Sequence, residues 1–399
     1  MNRITTIIIL LLFWVSCSGS DEYSLPPVTD GSQYPNIVST NDGSLFMIWT
    51  VENDNKASIV FSEFGGNGWS NPSSVFSSDS LFVNWADFPS IFHVGGDSLI
   101  VHWLQKSAGG TFDYNVKISF SSNRGQTWSK PIIPHRDQLK GEHGFLSFYK
   151  GKDQQIGFAW LDGRHMGEYD IKTHTMGDMA LYQSSLLNGK LAPERILDNR
   201  VCECCPTDAV AIPGGTLIAY RDRSEKEIRN INVVRIMDGI AQKPVTVHDD
   251  HWFIPGCPVN GPALDVKGNN VAVAWFTSPE KTPQVNVVFS SDGGQTFGEP
   301  IRIDDGNPIG RVDVEWINEN QIIISWIEET DKGANLYTRN VKLDSSFGEM
   351  NLVSEMDAGR GSGYPIMSQF EDALFFTWTN PKKPVKIESC WIKINDLLF

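Results

Sequence analysis

Seven times along this chain an aromatic residue closes a short apolar run: Trp49, Trp103, Trp160, Tyr220, Trp275, Trp326 and Trp378, with 51 to 60 residues between successive members. Five of the runs open at a proline, in Tyr34-Pro35, Phe88-Pro89, Cys205-Pro206, Gly261-Pro262 and Tyr364-Pro365. A repeat of this length that fills the chain specifies an array of one supersecondary unit, because no single unit can bury its own apolar face. The fifth unit shows what that unit is. Residues 262–266 read as a first short strand, 267–270 (Lys-Gly-Asn-Asn) as a hairpin turn, 271–275 as a second strand, 285–289 as a third and 300–303 as a fourth. Four short strands joined by turn residues, without helical periodicity, make one propeller blade. The expected fold is therefore all-β, a seven-bladed β-propeller of four-stranded antiparallel blades, with six blades as the alternative. The last unit supplies only three clear strands, and residues 23–29 have the look of a fourth. Pairing of that N-terminal strand with the last blade would close the ring and remove its exposed edges.

The N-terminus reads as a processing segment over residues 1–17. Arg3 supplies a positive start, and Ile4 to Val15 form an apolar stretch too short for a bilayer core of roughly 30 Å. Ser16-Cys17 then places a small residue before cysteine, as in the bacterial lipoprotein box. Lipidation at Cys17 is expected, with an ordinary signal peptide as the alternative. Residues 18–22 suit an acidic tether, and 23–399 a single propeller domain. The mature protein is then exported, as an outer-membrane or cell-surface lipoprotein or else a periplasmic or secreted protein. It would be a monomer that touches the membrane only through a lipid anchor. A net charge of -15 excludes nucleic acid, which selects basic surfaces. An anionic ligand would have to be met by local arginines working against the overall field.

The third and fourth strands of two units are joined by Ser121-Ser-Asn-Arg-Gly-Gln-Thr-Trp128 and Ser290-Ser-Asp-Gly-Gly-Gln-Thr-Phe297, with a degraded copy at residues 62–69. This pattern resembles the Asp box of the sialidase superfamily, where an acidic or amide side chain caps a tight turn, glycine takes positive φ and the aromatic packs below. The blocks 200–208, 220–229 and 256–262 resemble exported bacterial sialidase-like, or BNR-repeat, proteins. The resemblance spans about residues 23–399 and implies an exo-α-sialidase-type glycoside hydrolase. In that family three arginines hold the substrate carboxylate, a tyrosine assisted by a glutamate is the nucleophile, and an aspartate is the acid/base. One departure stands out: the family's Phe-Arg-Ile-Pro reads Ser32-Gln33-Tyr34-Pro35 here.

The resemblance also implies a working face, built from the loops that lead into each first strand and those that leave each second strand. On it fall Asp87, His143, Asp208, His251, Asn260, Arg311, Asp313 and Arg360, together with Asp162, Arg164, His165, Arg221 and Arg223. Convergence of arginine, histidine and carboxylate on one end of a ring points to a ligand cavity there. The candidate catalytic residues are Asp162, Asp208, Asp313 and His143. Arg164, Arg221, Arg223, Arg311, Arg360, His251 and Asn260 are the candidates for binding substrate. Tyr364 could be a nucleophile, but Tyr34 holds the same repeat position, which favours packing for both.

Cys202, Cys204 and Cys205 head the fourth blade and Cys257 the fifth, so the four thiols can meet. In an exported protein disulfides are favoured, Cys202–Cys257 being easy to build and a vicinal Cys204–Cys205 bridge strained. No cofactor is favoured; the alternative is zinc or copper held by the same thiolates. Cys390, in an apolar strand, reads as a buried free cysteine.

Three functions follow. A hydrolase of an acidic glycan would neutralise the carboxylate with arginines. A seven-bladed polysaccharide lyase would use His143, His165 or His251 to abstract a C5 proton from a uronate. A non-catalytic propeller would bind glycan or handle metal. The common partner of the first two is an acidic carbohydrate or glycoconjugate.

Overall fold

The computed structural model describes residues 23–398 apart from 41, 54–55, 67, 152–154, 168, 171–174 and 188. The expected processing segment, Cys17 and the tether lie outside the described residues. Seven small antiparallel sheets of three to five strands form the blades of a propeller. Their first strands, Ser32–Ser39, Ser90–Gly95, His143–Lys150, Asp208–Ile212, Ala263–Lys267, Pro308–Asn318 and Ile366–Phe370, lie next to one another around the axis. Each is followed outward by its antiparallel second and third strands, so every blade is a simple meander. Antiparallel pairing sets the start of each first strand beside the end of each second, as with His143 opposite Asp162. The two loop sets expected to share a face therefore do so.

The seven aromatic residues sit in the second strands and are at most 3% exposed. They fill the seams between blades: Trp275 packs with Leu217, Val233 and Leu264 across blades 4 and 5, and Trp326 with Val285, Val287 and Val314 across blades 5 and 6. The period is thus the spacing of interblade cores, which no blade could form alone.

Polar side chains on the inner strands join each blade to the next. Asn36 Oδ1 accepts from Ile91 N at 3.1 Å, Asp87 Oδ2 from Phe145 N at 2.8 Å, and Asp208 Oδ2 from Leu264 N at 2.7 Å. Asp265 Oδ2 accepts from Trp316 N at 2.6 Å, Asp313 Oδ2 from Met367 N at 2.8 Å, and Glu315 Oε1 from Gln369 N at 3.2 Å. Ser147 and Thr207 bridge blades 3 and 4 through hydroxyl–carbonyl bonds. Inner strands of neighbouring blades are too far apart for a ladder, and these side chains satisfy the backbone N–H groups that a ladder would have used. Between them runs an axial cavity of about 440 Å³ lined by all seven first strands or the loops leading into them.

Ring closure differs from expectation in detail. Residues 23–29 form no strand and blade 7 keeps three. Instead the carbonyl of Ser24 accepts both Trp69 Nε1 at 3.0 Å and Trp391 Nε1 at 3.1 Å, and the Tyr23 ring lies 4.7 Å from Trp391. Two prolines at 26–27 lack the N–H donors that a ladder needs. The seam itself is an apolar cluster of Leu45, Met47, Trp49 and Phe64 against Phe375, Ile387 and Trp391.

Gly261 shows how tightly the leading loops of blades 4 and 5 meet: a Cβ there would stand 2.1 Å from the carbonyl oxygen of Pro206. Gly261→Ala is expected to destabilise the fold by about 1–3 kcal/mol, the usual range for forced overpacking, read as a lower urea midpoint.

Candidate functional site

The axis is plugged at the working face. Trp85 and Phe88 lead into blade 2, Phe145 begins blade 3, Val259 leads into blade 5 and Tyr364 into blade 7, yet all pack in one cluster. Tyr364 donates its hydroxyl to the carbonyl of Val259 at 2.7 Å, and its ring lies 6.1 Å from both Trp85 and Phe88. Contacts among blades 2, 5 and 7 must cross the axis, so these side chains separate the cavity from the surface above. Tyr364 is 7% exposed and packs, as its repeat position suggested.

Asp208 and Asp313 lie below this plug. Both line the axial cavity and spend their carboxylates on backbone N–H groups, including those of Ala209 and Val314 beside them. Burial pushes Asp208 up to about 6 and Asp313 up to about 7, with Asp265 at about 6 and both Asp87 and Glu315 well above the ordinary carboxylate range. Their geometry is that of interblade staples that line the axial cavity.

His143 and Asp162 come together at the top of blade 3, with two residues that sequence reasoning did not single out, His135 and Asp137. His143 Nε2 is 3.0 Å from Asp137 Oδ2 and 3.6 Å from Asp162 Oδ1, and His135 Nδ1 is 2.7 Å from Asp137 Oδ1. Arg164 lies in this group too, forked onto Asp162 at 2.8 and 2.6 Å and bonded to Glu194 at 2.8 Å. His143 is wholly buried and Asp162 1% exposed.

Arg221, Arg311 and Asn260 are joints of the leading loops. The 1%-exposed Arg221 donates to three backbone carbonyls, of Asn260 at 2.8 Å, Arg229 at 2.8 Å and Phe276 at 2.7 Å. Arg311 donates to Ser362 Oγ at 2.7 Å and to the carbonyls of Gly363 and Gly359 at 3.0 and 3.1 Å. Asn260 accepts from Arg311 N at 2.8 Å and donates to Ile309 O at 3.2 Å. An arginine trio from Arg221, Arg311 and Arg360 does not assemble around an open carboxylate site, because two of its members are saturated by backbone.

Nearer the surface, a network of partly exposed charges surrounds the buried Arg229. Arg223 joins Asp178, Glu203 and Glu227 at 3.1, 2.5 and 2.8 Å, and Arg229 joins Glu203 and Glu227 at 2.8 and 3.0 Å. This network walls an open depression of about 490 Å³ that also includes Met166, Pro255 and Cys257. Near Glu203, Glu142 accepts the Tyr114 hydroxyl at 2.7 Å. Burial, with the Glu203 charge adding to it, pushes Glu142 up to about 7 against the pull of that hydrogen bond. Beside the plug, Arg360 is exposed with its guanidinium 5.8 Å from the Trp85 ring centroid, and among the described residues it makes no ion pair. His251 stands apart, its side chain 80% exposed and 3.1 Å from Asp249.

The cysteines divide. Cys204 and Cys257 form a disulfide between the leading loops of blades 4 and 5, in place of the expected Cys202–Cys257. Cys202 and Cys205 are buried thiols with sulfurs 3.1 Å apart. Burial raises both, but at Cys202 the Cys205 S–H, Arg229 and Arg221 outweigh it and lower the thiol. Cys390 is buried and disulfide-bonded, correcting the free thiol expected there.

No family model matches the chain and no curated protein matches it. Solved structures do. A polysaccharide lyase PL25 ulvan lyase bound to -[GlcA(1-4)Rha3S]- is similar with a TM-score of 0.59 at 10% identity, over 93% of this chain and 96% of that one. The polysaccharide lyase Uly1 is similar at 0.52 and 11% identity, over 92% and 90% of the two chains. The phage phi92 endosialidase is similar at 0.50 and 9% identity, over 94% of this chain and 68% of that one. At such identities the likeness shows architecture alone. The chain has the fold of a seven-bladed, all-β propeller.

Proposed function

We propose that this is an exported propeller that binds an acidic glycan on the face above the plug and hydrolyses it. The observation that carries the reading is Arg360 near Trp85: an exposed guanidinium that among the described residues has no carboxylate partner, 5.8 Å from an aromatic ring that the buried Arg311 also approaches, at 4.9 Å. An aromatic surface takes a sugar ring and a forked guanidinium takes its carboxylate. On a chain of net charge -15, an arginine left unpaired beside the axis is placed for an anion. The architectural neighbours support the same class, being named for ulvan and for endosialidase action.

Glu142, backed by the Tyr114 hydroxyl, and Glu203, held by Arg223 and Arg229, supply two carboxylates near each other on this face. Such a pair is the machinery of most glycoside hydrolases. It replaces the cavity-lining Asp208 and Asp313 as the acid–base candidates, and Arg360 remains the binding residue.

Calorimetric titration with a uronate- or sialate-containing oligosaccharide and its carboxyl-reduced counterpart tests the binding. We expect Arg360→Ala to weaken the acidic ligand about 10–100-fold, the worth of a charge-assisted contact of about 1.5–3 kcal/mol. Trp85→Ala should weaken both ligands. Equal affinity of the wild type for the acidic and reduced ligands would sink the reading. Reducing-end release lost in Glu142→Gln supports hydrolysis. A rise in absorbance from an unsaturated uronate would assign a lyase in its place.

A further inference from the structure

We propose that His135, Asp137, His143 and Asp162 form a zinc site beneath the working face, separate from the glycan contacts and from the cysteines. Four donors converge there from three places in the chain. His135 and Asp137 come from the loop before blade 3, His143 begins its first strand, and Asp162 ends its second, directly opposite His143 in the ladder. The donors of a tetrahedral zinc, each about 2.0–2.1 Å from the ion, stand roughly 3.3 Å from one another. Here His135 Nδ1 is 2.7 Å from Asp137 Oδ1, His143 Nε2 is 3.0 Å from Asp137 Oδ2 and 3.6 Å from Asp162 Oδ1, and one donor atom from each of His135, Asp137 and His143 lies within 4.8 Å of the other two. The two imidazoles are parallel, 3.8 Å apart at 1°, and turn one nitrogen each toward Asp137.

The surroundings are those of a metal's outer shell. His143 sets its other nitrogen, Nδ1, 3.3 Å from the carbonyl of Tyr114, which orients Nε2 toward the carboxylates. Asp162 is held in place by Trp160 Nε1 on Oδ2 at 2.7 Å and by Arg164, which donates to Oδ2 at 2.6 Å and, from Nε and its backbone N, to Oδ1 at 2.8 and 3.0 Å; Oδ1 stands 3.6 Å from His143 Nε2. Charge points the same way. Asp137, Asp162 and Glu194 are nearly buried carboxylates with side chains at most 13% exposed, and among the described residues Arg164 is the arginine whose guanidinium pairs with them. A dication bound by neutral imidazoles brings the group to neutrality, which buried charge requires. Two imidazoles with two carboxylates are a donor set for zinc, and with all four from the protein the site is closed and structural. It would fix the strand start that carries Glu142.

The test is metal content of the full chain, purified without a chelator or polyhistidine tag and dialysed against micromolar zinc. About one zinc per chain is expected, with a Tm that rises when zinc is added back after chelation. His135→Ala and Asp137→Asn should each lose the metal, while Cys202→Ser/Cys205→Ser keeps it. Cobalt substitution supplies a readout that does not depend on variant folding: visible ligand-field bands without the near-ultraviolet sulfur-to-cobalt charge transfer. A folded wild type that retains no zinc overturns the proposal. So does metal lost with the cysteines but kept in His135→Ala, or sulfur charge transfer in the cobalt form. Glycan titration of the metal-depleted protein separates this result from the binding reading, because Arg360 and Trp85 are not ligands.

Discussion

Arg221→Ala is expected to destabilise the protein by about 3 kcal/mol or more. Removing the side chain strands three buried carbonyls, of Asn260, Arg229 and Phe276, at about 1–3 kcal/mol each, before any cavity is counted. Water that enters the space would recover part of this, which sets the lower figure. Arg221→Lys should recover little, since one ammonium cannot reproduce a planar fork aimed at three fixed acceptors. Denaturant unfolding gives the number. Arg360→Ala should leave that midpoint unchanged while weakening acidic glycan. If instead Arg221→Ala folds with an unchanged midpoint and loses glycan, Arg221 is a ligand and the assignment of joint and contact is reversed.

The second large effect is on stability against pH. The cavity carboxylates Asp208, Asp265 and Asp313 are raised to about 6, 6 and 7 by burial, and Asp87 and Glu315 further. An acid raised on folding binds more protons in the native than in the unfolded chain between its two pKa values. Its contribution is therefore whole below the unfolded value near 4 and is lost as pH rises through the folded value, at up to about 1.4 kcal/mol per pH unit per group. His102, which burial lowers to about 3, works in the opposite sense up to its unfolded value. The diagnostic is thus a difference between proteins. Asp313→Asn keeps an oxygen for Met367 N–H and removes the charge, so it should gain on the wild type from pH 5 to pH 8. Parallel stability curves for the two proteins across that range would show that Asp313 is not held neutral in the cavity.

Much of the architecture was legible. Seven aromatic positions meant seven seams, and the proline-headed runs located the first strands, because both signals are local and repeat. The turn 290–297 lies between the third and fourth strands of blade 5, and 121–128 follows the third strand of blade 2, where a single Ile118–Ile132 bridge stands in place of the expected fourth strand; both are closed by bonds such as Gly125 N to Ser121 Oγ at 2.8 Å and Thr296 Oγ1 to Asp292 Oδ2 at 2.7 Å. The N-terminal strand failed for a local reason that could have been weighed, since residues 26 and 27 are both proline. The cysteine loops were rightly brought together, but which sulfur meets Cys257 depends on loop path.

Chemistry was less legible. Asp208 and Asp313 have the residue type of catalysts and the position of staples, and nothing in their neighbourhood in sequence separates the two. Arg221 resembled a carboxylate ligand because its three acceptors are backbone groups, up to 55 residues away, that composition does not reveal. Glu142 is one among 48 acidic residues, and only its place beside Tyr114 and near Glu203 marks it. His135 and Asp137 meet His143 only through the fold of the loop before blade 3, which the sequence does not show.

The sequence by itself determined the repeat, the number of blades and the end of the ring where charged loops gather, because strand period and turn chemistry act over a few residues. Ring closure decided the rest. It brought Tyr364 to Val259 across the axis, 105 residues apart, to plug the cavity, and it fed arginines and carboxylates to backbone groups of neighbouring blades. A buried polar group bonds to whatever the fold sets within about 3 Å of it, so which residues remain for a ligand is settled only when all seven blades are in place.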